Sequence, residues 1–246
     1  MFPTISIGPA SMPVPGLVMI IGIWVGLSFS EKLSSNFDVK EDFLYNLTFT
    51  SLLAGLLGAR IAYIASAPGS FVDNPISIIA LNITALDPVG GFAIGAAAGL
   101  YYTHRKGMLS WRTLDALSPL AAVMYISLGV SHLASGKAYG IETNLPWGID
   151  LWNATRHPTQ VYEILLGVLL LGWLWLTIRE FSLPLGQTFS SLFLILTLGH
   201  LFIAGFRADL PTVAGGIRTG QLAAYAGLAF SLWLVGKTLH RGEIAS

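Results

Sequence analysis

Apolar residues run along this chain in blocks of about 20, the length at which a helix crosses a bilayer. Seven windows stand out, at residues 13–30, 43–66, 88–103, 114–135, 158–178, 185–206 and 219–239. The third is short unless it begins in the preceding loop. A weaker apolar stretch, 76–86, is too short to span, and reads as lying on the membrane or re-entering it. No basic region precedes the apolar segment 14–29, so it reads as a first span rather than a cleaved signal peptide. The pattern predicts an all-α, polytopic helix bundle of about seven transmembrane helices. Residues 1–246 would form a single integral membrane domain, with no internal repeat and no separate soluble domain.

The polar breaks give this bundle a direction. Lys32, Lys40, Arg105, Lys106, Arg112, Arg179, Lys237 and Arg241 fall on one side of the membrane. Lys137, Arg156, Arg207 and Arg218 fall on the other. The more basic side is expected to be cytoplasmic, which puts the N-terminus outside and the C-terminus in the cytoplasm. Gly91, Gly95 and Gly99 recur every four residues and share a helix face, where they let backbones approach closely.

Composition agrees. Charged residues are 11% of the chain, against about 25% in a soluble domain. Hydrophobic residues are 54% and mean hydropathy is +0.68. The net charge of zero gives no grip on a phosphate backbone, so nucleic acid is excluded as a partner. There is no cysteine, which excludes disulfides, thiolate metal sites and a cysteine nucleophile. Any thiol chemistry must use the substrate's thiol.

Ionisable groups within spans are costly, so each is a functional candidate. With the orientation above, Arg60, Asp87, His132, Glu163, His200 and Arg207 collect in the outer half of the bilayer, and Asp115 lies near the cytoplasmic end. Snorkelling accounts for Arg207 and Lys137. It does not account for Glu163, whose stem is short. The densest cluster is Arg156-His157-Pro158-Thr159-Gln160-Val161-Tyr162-Glu163. Pro158 suits the first position of a helix. Gln160 and Glu163 then share a face. Arg156 and His157 sit at the positive helix end, where an anion such as a lipid phosphate is favoured. His157 is suited to moving a proton near neutral pH. Glu163 is suited to accepting a proton, orienting a partner, or holding Arg60 or Arg207 as a counter-ion. A purely structural pairing of Glu163 with a buried arginine is the competing reading. A retinal protein is excluded, because the last span has only Lys237, at its end. His132 and His200 read as isolated, which disfavours paired haem ligands.

The octet 156–163 resembles the Arg-His-Pro-(Ser/Thr)-Gln-x-Tyr-Glu signature of the bacterial prolipoprotein diacylglyceryl transferases. Other segments resemble the family's motifs in the same order: Trp24 with Gly26; Gly58-Ala59-Arg60 with Tyr63; Gly90-Gly91; Asp115 with Pro119; Phe206-Arg207 with Asp209; and Gly220-Gln221. Five positions depart from those motifs. Val25 stands where the family has tyrosine, Val89 where it has histidine and Gly129 where it has arginine. His132 stands where it has asparagine and Lys137 where it has glutamate.

The resemblance implies transfer of a diacylglyceryl group from phosphatidylglycerol to the lipobox cysteine of a prolipoprotein signal peptide, in the bacterial inner membrane. It implies no metal and no soluble cofactor. Loss of the thiol proton needs a base, for which His157, Glu163 and then His132 are the candidates. Arg60, Arg156 and Arg207 would hold phosphate, and Gln160, Tyr162, Gln221, Gly90 and Gly91 would position substrate. A catalytically silent member that binds lipid or lipoprotein precursor is the alternative. A small-molecule transporter is third.

Overall fold

Long apolar helices dominate the computed structural model, which describes residues 4–7, 10–72, 75–78, 85–108, 110–181 and 183–245. The helices are α1 (Val14–Ser34), α2 (Glu41–Ser66), the single turn α3 (Gly69–Val72), α4 (Pro88–Arg105), α5 (Trp111–Ser135), α6 (Thr159–Glu180), α7 (Gln187–Phe206) and α8 (Thr219–Ala245). Six of these, all but α3 and α4, are long and apolar enough to cross a membrane. α4 is the seventh long helix. It starts at Pro88 and spans 18 residues, so the expected third span does not begin in the preceding loop. Its glycines, together with Tyr, Thr, His and Arg at its end, keep it less apolar than the rest. Most of the weak segment 76–86 lies outside the described residues, and its first part belongs to a 3₁₀ turn, Pro75–Ile78.

The surface is that of a protein solvated by lipid. Phe92 is 81% exposed, Leu169 70% and Phe202 70%. Such side chains have no reason to face water. Several small hydroxyl residues are meanwhile fully buried, among them Ser30, Ser118, Ser190 and Thr238.

Chain contacts divide the molecule into two units, residues 39–113 and residues 1–38 with 114–246. In the first unit α2 packs on α4. A Cβ on Gly95 would lie 2.8 Å from the Ser51 carbonyl oxygen, and one on Gly91 3.0 Å from that of Gly55. The four-residue glycine repeat is therefore a backbone-to-backbone seam. Asp87 caps α4, its Oδ1 accepting from the Gly90 amide at 2.5 Å.

The second unit contains α1, most of α5, α6, α7 and α8. Pro119 interrupts the amide ladder of α5, and the Leu120 amide donates to the buried Ser30 Oγ of α1 at 3.1 Å. Asp115 is 2% exposed and accepts from the amides of Gly186 (2.6 Å) and Phe189 (2.8 Å), which closes the N-terminus of α7. α7 and α8 share hydroxyl contacts, Ser190 with Thr238 at 3.1 Å and Thr197 with Ser231 at 3.3 Å.

Two small hairpins, β1–β2 (Thr4–Ile7, Ala10–Pro13) and β3–β4 (Ile149–Leu151, Ala154–Arg156), add to the helical expectation. The second turns through Trp152 and Asn153, both at positive φ (55° and 60°), the geometry of a tight two-residue hairpin.

Candidate functional site

The site is assembled where α5 crosses α6. Gly129 sets the separation: a Cβ there would meet the Ile164 amide nitrogen at 3.0 Å and the Gln160 carbonyl at 3.1 Å. Gly167 does the same from α6, against the Ile126 nitrogen at 3.0 Å. About one turn beyond Gly129, His132 of α5 reaches Glu163 of α6. A backbone seam brings in the end of α7. The Ile141 amide donates to the Phe206 carbonyl (2.8 Å), the Ala208 amide to Tyr139 (2.9 Å) and the His157 amide to Ile141 (3.0 Å). Residues 139–141 thus lie between the end of α7 and the start of α6. Gly140 is required there, because a Cβ would fall 2.3 Å from the His157 carbonyl oxygen.

The result is a chain of four ionisable groups. Glu163 is fully buried. Its Oε2 lies 2.7 Å from His132 Nδ1, and its Oε1 lies 3.4 Å from an Arg207 terminal nitrogen. Arg207 grips Asp209 with two hydrogen bonds, Nε to Oδ1 at 2.9 Å and the second terminal nitrogen to Oδ2 at 2.7 Å. Burial works against the charge of both partners. Their mutual hydrogen bonds and charge outweigh it, holding the Asp209 carboxyl below its ordinary range and the Arg207 guanidinium above its own. His132 keeps one fifth of its side chain accessible. Its Nε2 has no hydrogen-bond partner among the described residues.

A second pair lies nearby. The Tyr125 hydroxyl of α5 is 3.0 Å from His200 Nδ1 of α7. Neither histidine is isolated, as the sequence reading had it. His132 has a carboxylate partner and His200 a phenol. Tyr125 was missed as a candidate because it is one aromatic among many in apolar spans. Its spacing of seven from His132 was the available signal.

α6 begins at Thr159, and Pro158 takes the capping position just before it. His157 contacts the Tyr162 hydroxyl through Nδ1 (3.3 Å) and packs on Phe206 with ring centres 4.9 Å apart. Trp147 Nε1 donates to the same hydroxyl at 3.0 Å. His157 makes no contact with Glu163 among the described bonds. Arg156 donates to the carbonyls of Leu151 (3.0 Å) and Gly140 (3.3 Å) and to Glu142 (3.3 Å), and lies over the Tyr139 ring. It anchors the hairpin more than it offers itself to an anion. Gln160 is fully buried. Its Nε2 donates to the Lys137 carbonyl at 2.9 Å, and its Oε1 has no partner among the described residues. Gln221 Oε1 accepts from the Arg218 amide at 3.1 Å, which caps the start of α8.

In the other unit Arg60 donates to three backbone carbonyls: Ile78 at 3.1 Å, Ala85 at 2.9 Å, and Ser77. It ties the Pro75–Ile78 turn and Ala85 to α2. Gly90 and Gly91 face Ala62 and Ala59 of α2.

Comparison with known proteins bears on this arrangement. A family model described as prolipoprotein diacylglyceryl transferase matches residues 3–236. A phosphatidylglycerol–prolipoprotein diacylglyceryl transferase of Prochlorococcus marinus (strain NATL1A) is 29% identical over 254 residues, covering 88% of this chain and 84% of that protein. The protein of that name from Synechococcus elongatus is 26% identical, over 94% of this chain and 86% of its own length. The one from Clostridioides difficile (strain 630) is 27% identical, over 87% and 85%.

Proposed function

The chain belongs to the prolipoprotein diacylglyceryl transferase family, and we propose that it is an active transferase. It moves a diacylglyceryl group from phosphatidylglycerol to the cysteine thiol of a lipobox, in the bacterial inner membrane. Its N-terminus is outside and its C-terminus cytoplasmic, an orientation supported by the distribution of Lys and Arg. The observation that carries this reading is the buried Glu163, held between His132 and Arg207.

The chemistry follows from that contact. A carboxylate is acceptor-only, so His132 presents Nδ1–H to Glu163 and carries its lone pair on Nε2. Nε2 takes the proton of the substrate thiol. The sulfur attacks the terminal glyceryl carbon of the lipid and a C–S bond forms. The bond from that carbon to the phosphate oxygen breaks, and its electron pair leaves with glycerol phosphate. Glu163 fixes the ring and offsets the imidazolium charge. Arg207 uses three of its five N–H groups on Glu163 and Asp209. The other two remain for the departing phosphate. His132, rather than His157, is the base in this reading, since only His132 touches Glu163.

Purified protein in phosphatidylglycerol vesicles, mixed with a lipobox peptide bearing a free cysteine, tests this. Mass spectrometry is expected to find the peptide with a diacylglyceryl adduct, and no adduct on a cysteine→serine peptide. No adduct from this chain, with a family member active in parallel, would overturn the transferase reading in favour of a silent lipid-binding member.

A further inference from the structure

We propose that His200, with its tautomer set by Tyr125, is the hydrogen-bond donor that recognises an ester carbonyl of the lipid substrate. The inference rests on the reading that this site takes a diacylglyceryl lipid.

His200 precedes Arg207 by seven residues on α7, and Tyr125 precedes His132 by seven on α5. Two helical turns place each pair on one face, about 10 Å apart along the axis. Tyr125 and His200 therefore form a layer one step deeper in the membrane than His132, Glu163 and Arg207, which sit toward the helix ends. The Tyr125 hydroxyl has no other hydrogen-bond partner among the described residues, so its proton goes to His200 Nδ1, 3.0 Å away. A neutral imidazole that accepts at Nδ1 carries its hydrogen on Nε2. That N–H has no partner among the described residues, and it is not sealed. The buried side-chain atom left unpartnered among them is Gln160 Oε1.

An N–H group at this depth needs an acceptor. Hydrocarbon supplies none. Phosphate and head-group hydroxyls belong to the interface, level with Arg207. The acceptors of a phospholipid just below its phosphate are the carbonyl oxygens of its two acyl esters. A hydrogen bond from His200 to one of them sets the depth of the glyceryl carbon that the thiol attacks. His200 is then a positioning and specificity residue, remote from the bond that breaks.

That separation provides the test. A dialkyl ether phosphatidylglycerol keeps the glyceryl–phosphate bond and lacks both carbonyls, so it stays chemically competent. The full chain is assayed with the lipobox peptide in vesicles of diacyl or dialkyl phosphatidylglycerol of equal chain length. The expected result is adduct formation about five- to tenfold faster from the diacyl lipid, the worth of one hydrogen bond. His200→Phe should slow the diacyl reaction and bring the ratio of the diacyl to the dialkyl rate down to about one. His200→Gln, which retains an N–H donor, should keep part of the preference. Should His200→Phe fail to fold, Tyr125→Phe serves: it frees the tautomer, and the preference should fall. Equal diacyl and dialkyl rates in the wild type, or a preference that survives His200→Phe or Tyr125→Phe, would overturn this inference alone. Absence of adduct from either lipid would overturn the transferase reading and this inference with it.

Discussion

His132 Nδ1 and Glu163 Oε2 lie 2.7 Å apart across the crossing of α5 and α6, with the carboxylate fully buried. That contact fixes which ring nitrogen is free, and so fixes the chemistry the histidine can do. Glu163→Gln replaces an acceptor-only group by an amide that can also donate, which leaves the ring tautomer unspecified. The expected outcome is a loss of transfer of about a hundredfold or more, measured as adduct formed per minute. The variant should elute from size exclusion like the wild type, because Arg207 keeps its two bonds to Asp209.

Gly129 permits this contact. Its would-be Cβ meets the backbone of α6 at 3.0–3.1 Å, and neither backbone atom can move without shifting a helix. Gly129→Leu should therefore lower stability by about 1–3 kcal/mol and reduce transfer as well, since His132 is displaced with its helix. Gly172→Ala, on α6 with nothing within 4 Å of the added carbon, should be neutral or stabilising by up to about 1 kcal/mol. Thermal unfolding in detergent separates the two.

The Arg207–Asp209 pair makes stability depend on acid. The carboxyl is held below its unfolded value of about 4, so the native state binds fewer protons than the unfolded state in that range. The stabilisation is fully present above about pH 4 and is lost as pH falls through the depressed folded value. Melting temperature should drop less between about pH 4 and pH 2 in Asp209→Asn than in the wild type. Equal slopes would mean that the pair contributes nothing.

Arg60 binds the carbonyls of Ser77, Ile78 and Ala85, so one side chain ties the Pro75–Ile78 turn and Ala85 to α2. Arg60→Met keeps the length of the stem and removes every donor. Limited proteolysis of the variant should cut within residues 68–86 several times faster than in the wild type. An unchanged cleavage pattern would show that these three bonds do not protect the segment.

Much of this protein was legible without coordinates. Apolar windows located the long helices to within a few residues, because a bilayer imposes one length and one solvent on every span. The glycine spacing at Gly91, Gly95 and Gly99 forecast a close backbone approach on one face of α4, since helix periodicity puts every fourth residue on nearly the same face; that the neighbour is α2 came from the structure. The family signature was likewise contained in eight consecutive residues. What the tertiary structure decided is pairing between helices distant in sequence. A single helix carries no record of its partner. His132 therefore looked isolated, although Glu163 lies 31 residues away in the chain and 2.7 Å away in space. His200 looked isolated for the same reason, with Tyr125 75 residues distant. The three arginines read alike in the sequence, as candidates for phosphate. Only the fold separates them, because a guanidinium satisfied by backbone carbonyls, as in Arg60, has a different task from one held against a buried carboxylate, as in Arg207.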